Sequence, residues 1–371
     1  LAIANQLFKP AIAEARMLGR RTLFIIGAGA GFDIQMPMGD KLARRIAEYV
    51  NISFEDGYRK KSGNDLTAEA LKLLAREADH RADPNPYYHA GRQIAEGLVG
   101  WSSSIDGYLN RHQDQPLVQQ CGKLAIAQVI LESENGCDMY VDPRSPRGLS
   151  FRDAAKVRQS WFQQLWSILE TGIIRSKNLE SIFDKLNVIT FNYDRTLEHF
   201  LSMGLQQAFH LPENDAASII NAKLDIDHVY GQVAKLPWQN RGHGLAFGRK
   251  PDARDLVPLW SRITTFNEEI SDAELLTKLA DKVSNAERIV FLGCHFHAQN
   301  MKLLRAALPA RGGDVRIYAT AVQRSASAVI EIESQIREML APRGGSWHVQ
   351  IDSRWDCKEL FREFDTTWSR Q

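Results

Sequence analysis

Apolar and polar positions fall into two textures along this chain. Residues 22–26 (TLFII) form a short apolar run that stops at glycine, the pattern of a strand buried on both faces of a parallel sheet. Residues 38–50 (MGDKLARRIAEYV) repeat their apolar positions at helical spacing instead. From about 60 to 185 the pattern is mostly helical, with breaks at DPNP (83–86) and DPRSPRG (142–148). The second break is proline-rich and basic and reads as an exposed loop. Inside this block, 153–170 predicts one amphipathic helix, and its stripe of Trp161, Phe162, Leu165, Trp166 and Leu169 reads as core. Strand signals return at 187–191, 226–230, 289–293, 315–319 and 347–351, several of them separated by helical stretches. The alternation predicts an α/β fold, a Rossmann-like parallel sheet flanked by helices. Residues 60–185 then read as a mostly helical insertion into a discontinuous core of 1–59 and 186–371. The first 21 residues read as an amphipathic helix and not a signal, because Lys9, Glu14 and Arg16 interrupt their apolar positions.

Composition narrows the function classes. A chain of 371 residues, 44% hydrophobic, has ample material for a sizeable core. With 46 Lys+Arg against 45 Asp+Glu the net charge is +1, so neither nucleic acid nor an anionic membrane is attracted overall, and direct nucleic-acid binding is not expected. The cluster of Arg144, Arg147, Arg152, Lys156 and Arg158 reads as a solvated face. No apolar run reaches the roughly 18–20 residues of a membrane span. The cysteines, Cys121, Cys137, Cys294 and Cys357, include no CxxC pair, which excludes a four-cysteine zinc ribbon and points to reduced thiols in a cytoplasmic protein. Cys294 and His297 offer two metal ligands with no second pair nearby, so no metal is expected.

The candidate chemistry lies at strand ends. Gly27-Ala28-Gly29-Ala30-Gly31 follows the strand at 22–26 directly. Such a turn lets backbone N–H groups approach a pyrophosphate. A dehydrogenase fingerprint needs a third glycine at 32, where Phe32 stands. Asn192, Asp194 and His228 fall just past predicted strands, where doubly wound sheets gather their active sites. Asn192 offers both a donor and an acceptor to ribose hydroxyls or a water. His228, with an ordinary pKa of about 6.5, suits a general base. Each has a bland counterpart: Asp194 as the cap of a following helix, and His228 as a satisfied structural residue.

Taken in order, these segments resemble the motifs of sirtuin-like NAD hydrolases, the bacterial anti-phage branch. GAGAGFDIQMP at 27–37 is similar to the family's GAGxSxxxGxP, with Gly31 and Gln35 in place of its Ser and second-half Gly. Thr190-Phe191-Asn192-Tyr193-Asp194 resembles the Asn-x-Asp motif, and His228-Val229-Tyr230-Gly231 resembles the catalytic histidine followed by glycine. Phe291-Leu292-Gly293-Cys294-His295 falls where the family has a strand ending in Gly-Thr-Ser; His295 and Ala298 depart from its pattern, while Asn300 matches a frequent Asn. The resemblance implies Asn192 and His228 as catalytic residues. It implies Gly27, Ala28, Gly29, Asp33, Pro37, Asp194 and Gly293 as binding residues for NAD, with Asp194 taking the nicotinamide carboxamide. Without a zinc ribbon and its peptide groove, water is the expected acceptor, giving nicotinamide and ADP-ribose. The same resemblance implies depletion of NAD in antiviral defence, a homo-oligomer, and a HerA-type ATPase or Argonaute-like partner. Two other functions fit these residues: a nucleotide-binding sensor or scaffold without turnover, and an ADP-ribosyltransferase.

Overall fold

A computed structural model describes residues 18–56, 59–101, 104–145, 148–240, 243–265, 268, 272–305 and 313–368. The helix expected in the first 21 residues therefore lies almost wholly outside the described residues, as does Arg147.

The expected parallel sheet is present. β1 (Thr22–Ile26), β4 (Leu186–Thr190), β5 (Asp225–His228), β6 (Arg288–Leu292), β7 (Val315–Thr320) and β8 (Trp347–Asp352) form six parallel strands in the order β5-β4-β1-β6-β7-β8. Each begins and ends within two residues of its apolar run in the sequence. Between β1 and β4 lies a short antiparallel hairpin, β2 (Ser53–Glu55) and β3 (Arg59–Ser62), that the apolar pattern does not reveal. Its strands are polar and mostly exposed, so no alternation marks them.

Successive β1 side chains enter opposite cores, as the two-residue period of a strand requires. Leu23 and Ile25 join Ile189, Phe291 and Ile317 in one core. That core is closed by α1 (Gly39–Val50), α2 (Asp65–Ala78), α3 (Asn85–Gly100), α4 (Ile105–Arg111) and α5 (Pro116–Gly136). Phe24 and Ile26 join Val188, Val290 and Tyr318 in the other. Its cover comes from α7 (Trp161–Glu170), α8 (Thr196–Ala208) and the helix Cys357–Glu363. Residues of the 60–185 segment thus line both cores. α5 buries most of its circumference, both apolar residues such as Leu124, Ile126, Val129 and Leu131 and polar ones such as Lys123, Gln128 and Glu134.

The helix expected at 153–170 is two helices, α6 (Ala154–Gln159) and α7, divided at Ser160. Ser160 is extended (φ −82°, ψ 164°), and its hydroxyl donates to the Val157 carbonyl at 2.6 Å. A serine that satisfies backbone locally in this way competes with helix continuation. The aromatic stripe of α7 is buried as expected.

Candidate active site at the carboxyl edge of the sheet

Strand register sets the site. Ile26 of β1 pairs with Thr190 of β4 and Leu292 of β6, and Thr190 pairs with His228 of β5. The four strands therefore end level, and the chain leaves them side by side at residues 27, 191, 229 and 293. β1 has its sequence successor β4 on one side and the later β6 on the other. This is the switch point where open α/β sheets leave a crevice.

The glycines of the first turn serve a close backbone joint. Gly27 N–H donates to Leu292 O (2.9 Å) and Gly29 N–H to Gly293 O (3.0 Å). A Cβ on Gly27 would lie 2.7 Å from Gly293 O, and one on Gly29 2.9 Å from Gly293 Cα. Gly293 itself has φ +61°, and a Cβ there would lie 2.0 Å from Ala30 N. The chain beyond Gly27 winds into a short 3₁₀ helix, Ala28–Ile34, whose Ala30 carbonyl accepts from Trp161 Nε1 at 2.8 Å. Helix α7 thereby pins the turn. Two N–H groups expected to face a pyrophosphate are occupied by the β6 loop.

Asn192 sits at the centre. Its side-chain Nδ2 donates to Gly27 O at 3.2 Å, and its backbone N–H donates to Thr190 Oγ1 at 3.1 Å. Behind it His228 Nδ1 meets the Asn192 carbonyl at 2.9 Å, and Nε2 meets Glu198 Oε1 at 2.8 Å. Both partners are acceptors, which favours the protonated ring, while the Gln232 side-chain Nε2 also lies 3.3 Å from His228 Nε2. Burial of His228 favours the neutral ring, but Glu198 and the Asn192 carbonyl outweigh it and the pKa is raised. Burial likewise opposes the Glu198 carboxylate, yet His228 holds it below its ordinary value. Gln232 donates to the same carboxylate oxygen. In this arrangement both ring nitrogens of His228 are engaged, Nδ1 by the Asn192 carbonyl and Nε2 by Glu198 and the Gln232 amide.

Two cavities share Asn192 as a wall. The small one, about 10 Å³, is lined by Asn192, Asp194, Thr196, Glu198 and His228 beneath the Ala30–Gly31 turn. The large one, about 410 Å³, is lined by Gly27, Ala28, Asn192, Asp106, Tyr230 and the 294–300 turn, among others. It falls within the 300–1,000 Å³ typical of small-molecule sites.

No protein-family model, curated protein or solved structure matches this chain.

The candidate residues divide accordingly. Gly27, Ala28 and Asn192 reach the large cavity, while Asp194 and His228 reach the small one. Gly29, Asp33, Pro37 and Gly293 line neither. Asp194 accepts from the Thr196 N–H (3.0 Å) and hydroxyl (2.5 Å), a local turn just ahead of α8, whose N-cap position is Arg195; burial raises its pKa. Asp33 accepts from the Trp161 N–H at 3.4 Å, and burial, then nearby Asp356, raises its pKa. Cys294 reaches the large cavity, but burial pushes its thiol up to about 12. Among the described residues no three His, Cys, Asp or Glu side chains gather to hold a metal ion, and no helix is long and apolar enough to cross a membrane.

Sequence reasoning assigned no role at this site to Glu198, the partner of His228, to Tyr230, whose hydroxyl donates to Asn300 Oδ1 at 2.6 Å, or to Asp106, and read Trp161, the anchor of the turn, as core only. Tyr230 and Asn300 carried a signal, since both stand in motif segments. Asp106 carried none.

Proposed function

We propose that this chain is an NAD glycohydrolase of the sirtuin-like kind, cleaving the nicotinamide–ribose bond with water as acceptor. The observation that carries the reading is the placement of the Asn192 amide. It is tied to Gly27 at the level ends of β1, β4 and β6, on the wall of the 410 Å³ cavity at the sheet's switch point. Cleavage develops positive charge on the ribose and releases a neutral heterocycle, so the protein must chiefly hold the sugar and admit a nucleophile. Asn192 offers an amide for the ribose hydroxyls. His228, bonded to the Asn192 carbonyl and backed by Glu198, fixes the turn that presents that amide. It acts here as a positioning residue.

The resemblance to the anti-phage branch supplies the biological setting of the proposal: NAD depletion on infection. Such an activity requires control, through further copies of the chain or through a HerA-type ATPase or Argonaute-like protein.

Incubation of the purified chain with NAD, alone and with candidate partner proteins, followed by chromatography of nicotinamide and ADP-ribose, tests the reading. Wild type releases both in equal amounts, and Asn192→Ala lowers the rate on the order of a hundredfold, the scale of losing substrate alignment. A wild type that leaves NAD intact both alone and with the partners sinks the hydrolase. The enclosure of His228 favours a second reading, nucleotide binding without turnover, whose mark is saturable NAD binding with no nicotinamide released.

A further inference from the structure

His228 lines the small cavity and is engaged at both ring nitrogens, so the large cavity needs another group to accept a proton. Its titratable and charged lining comprises Asp106 and Arg111 of α4, Tyr230 after β5, and Cys294, His295 and His297 after β6, with Tyr193 bonded to Asp106 from the turn after β4. The pKa of the partly exposed Cys294 thiol is pushed up to about 12 by desolvation, and Tyr230 donates to Asn300. His295 Nδ1 is engaged by Arg324 at 2.8 Å, and burial, then Arg324, lowers its pKa. His295 and His297 both sit on the exposed turn.

Asp106 differs from these in how it is held. Its Oδ1 accepts from the hydroxyl of Tyr193, the residue next to Asn192, so one turn fixes both the amide and the carboxylate. Burial raises the pKa of Asp106, while the Tyr193 hydrogen bond, and then His297, act against that rise. With its pKa raised by burial, such a carboxylate is a stronger base than an exposed one.

We propose that Asp106, brought into the large cavity by the helical segment, takes the proton of the water that cleaves the nicotinamide–ribose bond. The proposal rests on the NAD reading above. In the step, a bond forms between the water oxygen and C1′ of the ribose as the bond from C1′ to the pyridine nitrogen breaks. The electron pair of the broken bond leaves with nicotinamide, which becomes neutral. The water proton passes to the Asp106 carboxylate and then to solvent.

The test compares pH–rate profiles of nicotinamide release by wild type, Asp106→Asn and Tyr193→Phe, each checked for cooperative unfolding. Asp106→Asn, nearly isosteric, is expected to lower kcat about a hundredfold or more with KM within about threefold, and to abolish the acidic limb of the profile. Tyr193→Phe removes a hydrogen bond that favours the carboxylate, so the acidic limb moves to higher pH. A carboxylate with only a structural role leaves that limb where it is. A wild type without turnover overturns the NAD reading and this step with it. A wild type that turns over, beside an Asp106→Asn of equal rate or a Tyr193→Phe with an unmoved limb, overturns the role of Asp106 alone.

Discussion

A histidine flanked by two acceptors couples the stability of this site to pH. His228 has its pKa raised from 6.5 and Glu198 has its pKa lowered from 4.5, each despite burial. The His228 contribution is fully present below its unfolded value and is lost as pH rises through the higher folded one. The Glu198 contribution is present above its unfolded value and is lost as pH falls through the lower folded one. The pair is therefore most stabilising between the two ordinary values, in mildly acidic solution. Replacing Glu198 with Gln removes the charge that holds the proton on His228. Urea unfolding at pH 6 and pH 8.5 is expected to show wild type losing stability over that interval and Glu198→Gln losing less. Equal losses would mean that the two side chains are not an ion pair. Glu198 also illustrates what a sequence conceals at this scale. It reads as an ordinary acidic residue of a helix, and only the fold reveals that it is buried against a histidine 30 positions away. Asp106 and Tyr193, 87 positions apart, are concealed for the same reason.

At the scale of elements, the apolar pattern located all six parallel strands; β1, β4, β6 and β7 are buried along nearly their whole length, while β5 and β8, at the two edges, are only partly buried. It failed where burial was not the organising force: at the exposed β2–β3 hairpin, and at Ser160, where a local hydrogen bond divides an otherwise continuous stripe. The glycine turn was visible as a motif, but its glycines have a structural purpose that a motif does not convey. They let the loops after β1 and β6 touch backbone to backbone. Gly293→Ala tests that joint. A left-handed alanine costs about 1–3 kcal/mol by itself. The added methyl also lies 2.0 Å from Ala30 N, a backbone atom that cannot swing aside. The expected total is about 3 kcal/mol or more. Gly136→Ala, at the end of α5 with open space around its Cβ, is the control; it is expected to be neutral or stabilising by up to about 1 kcal/mol. Denaturant titration of the two variants separates a joint that needs glycine from a general sensitivity to substitution.

For the whole molecule, the central question is whether residues 60–185 form a detachable module. The sequence reading drew the boundary where the texture changed, and its first cut, between 59 and 60, falls inside strand β3. Packing argues that the segment is part of the core. Leu71, Ile94, Leu124 and Val129 share one hydrophobic cluster with Leu23 and Ile25 of the central strand, while Trp161 and Leu165 share the other with Phe24 and Ile26. Across the boundary, Glu134 of α5 pairs with Arg195 at the start of α8, and both side chains are fully buried. Removing one partner of such a pair leaves a buried charge unmatched, a loss of about 3–5 kcal/mol. That alone rivals a sizeable share of the roughly 5–15 kcal/mol that keeps a domain folded. Joining 1–59 to 186–371 through a short linker would strip α2–α5 from one core and α7 from the other, and isolate Arg195 as well. The joined chain is expected to show no cooperative thermal transition by far-UV circular dichroism and to bind a hydrophobic dye. A sharp transition in that chain would instead establish the segment as an independent unit docked on a self-sufficient sheet.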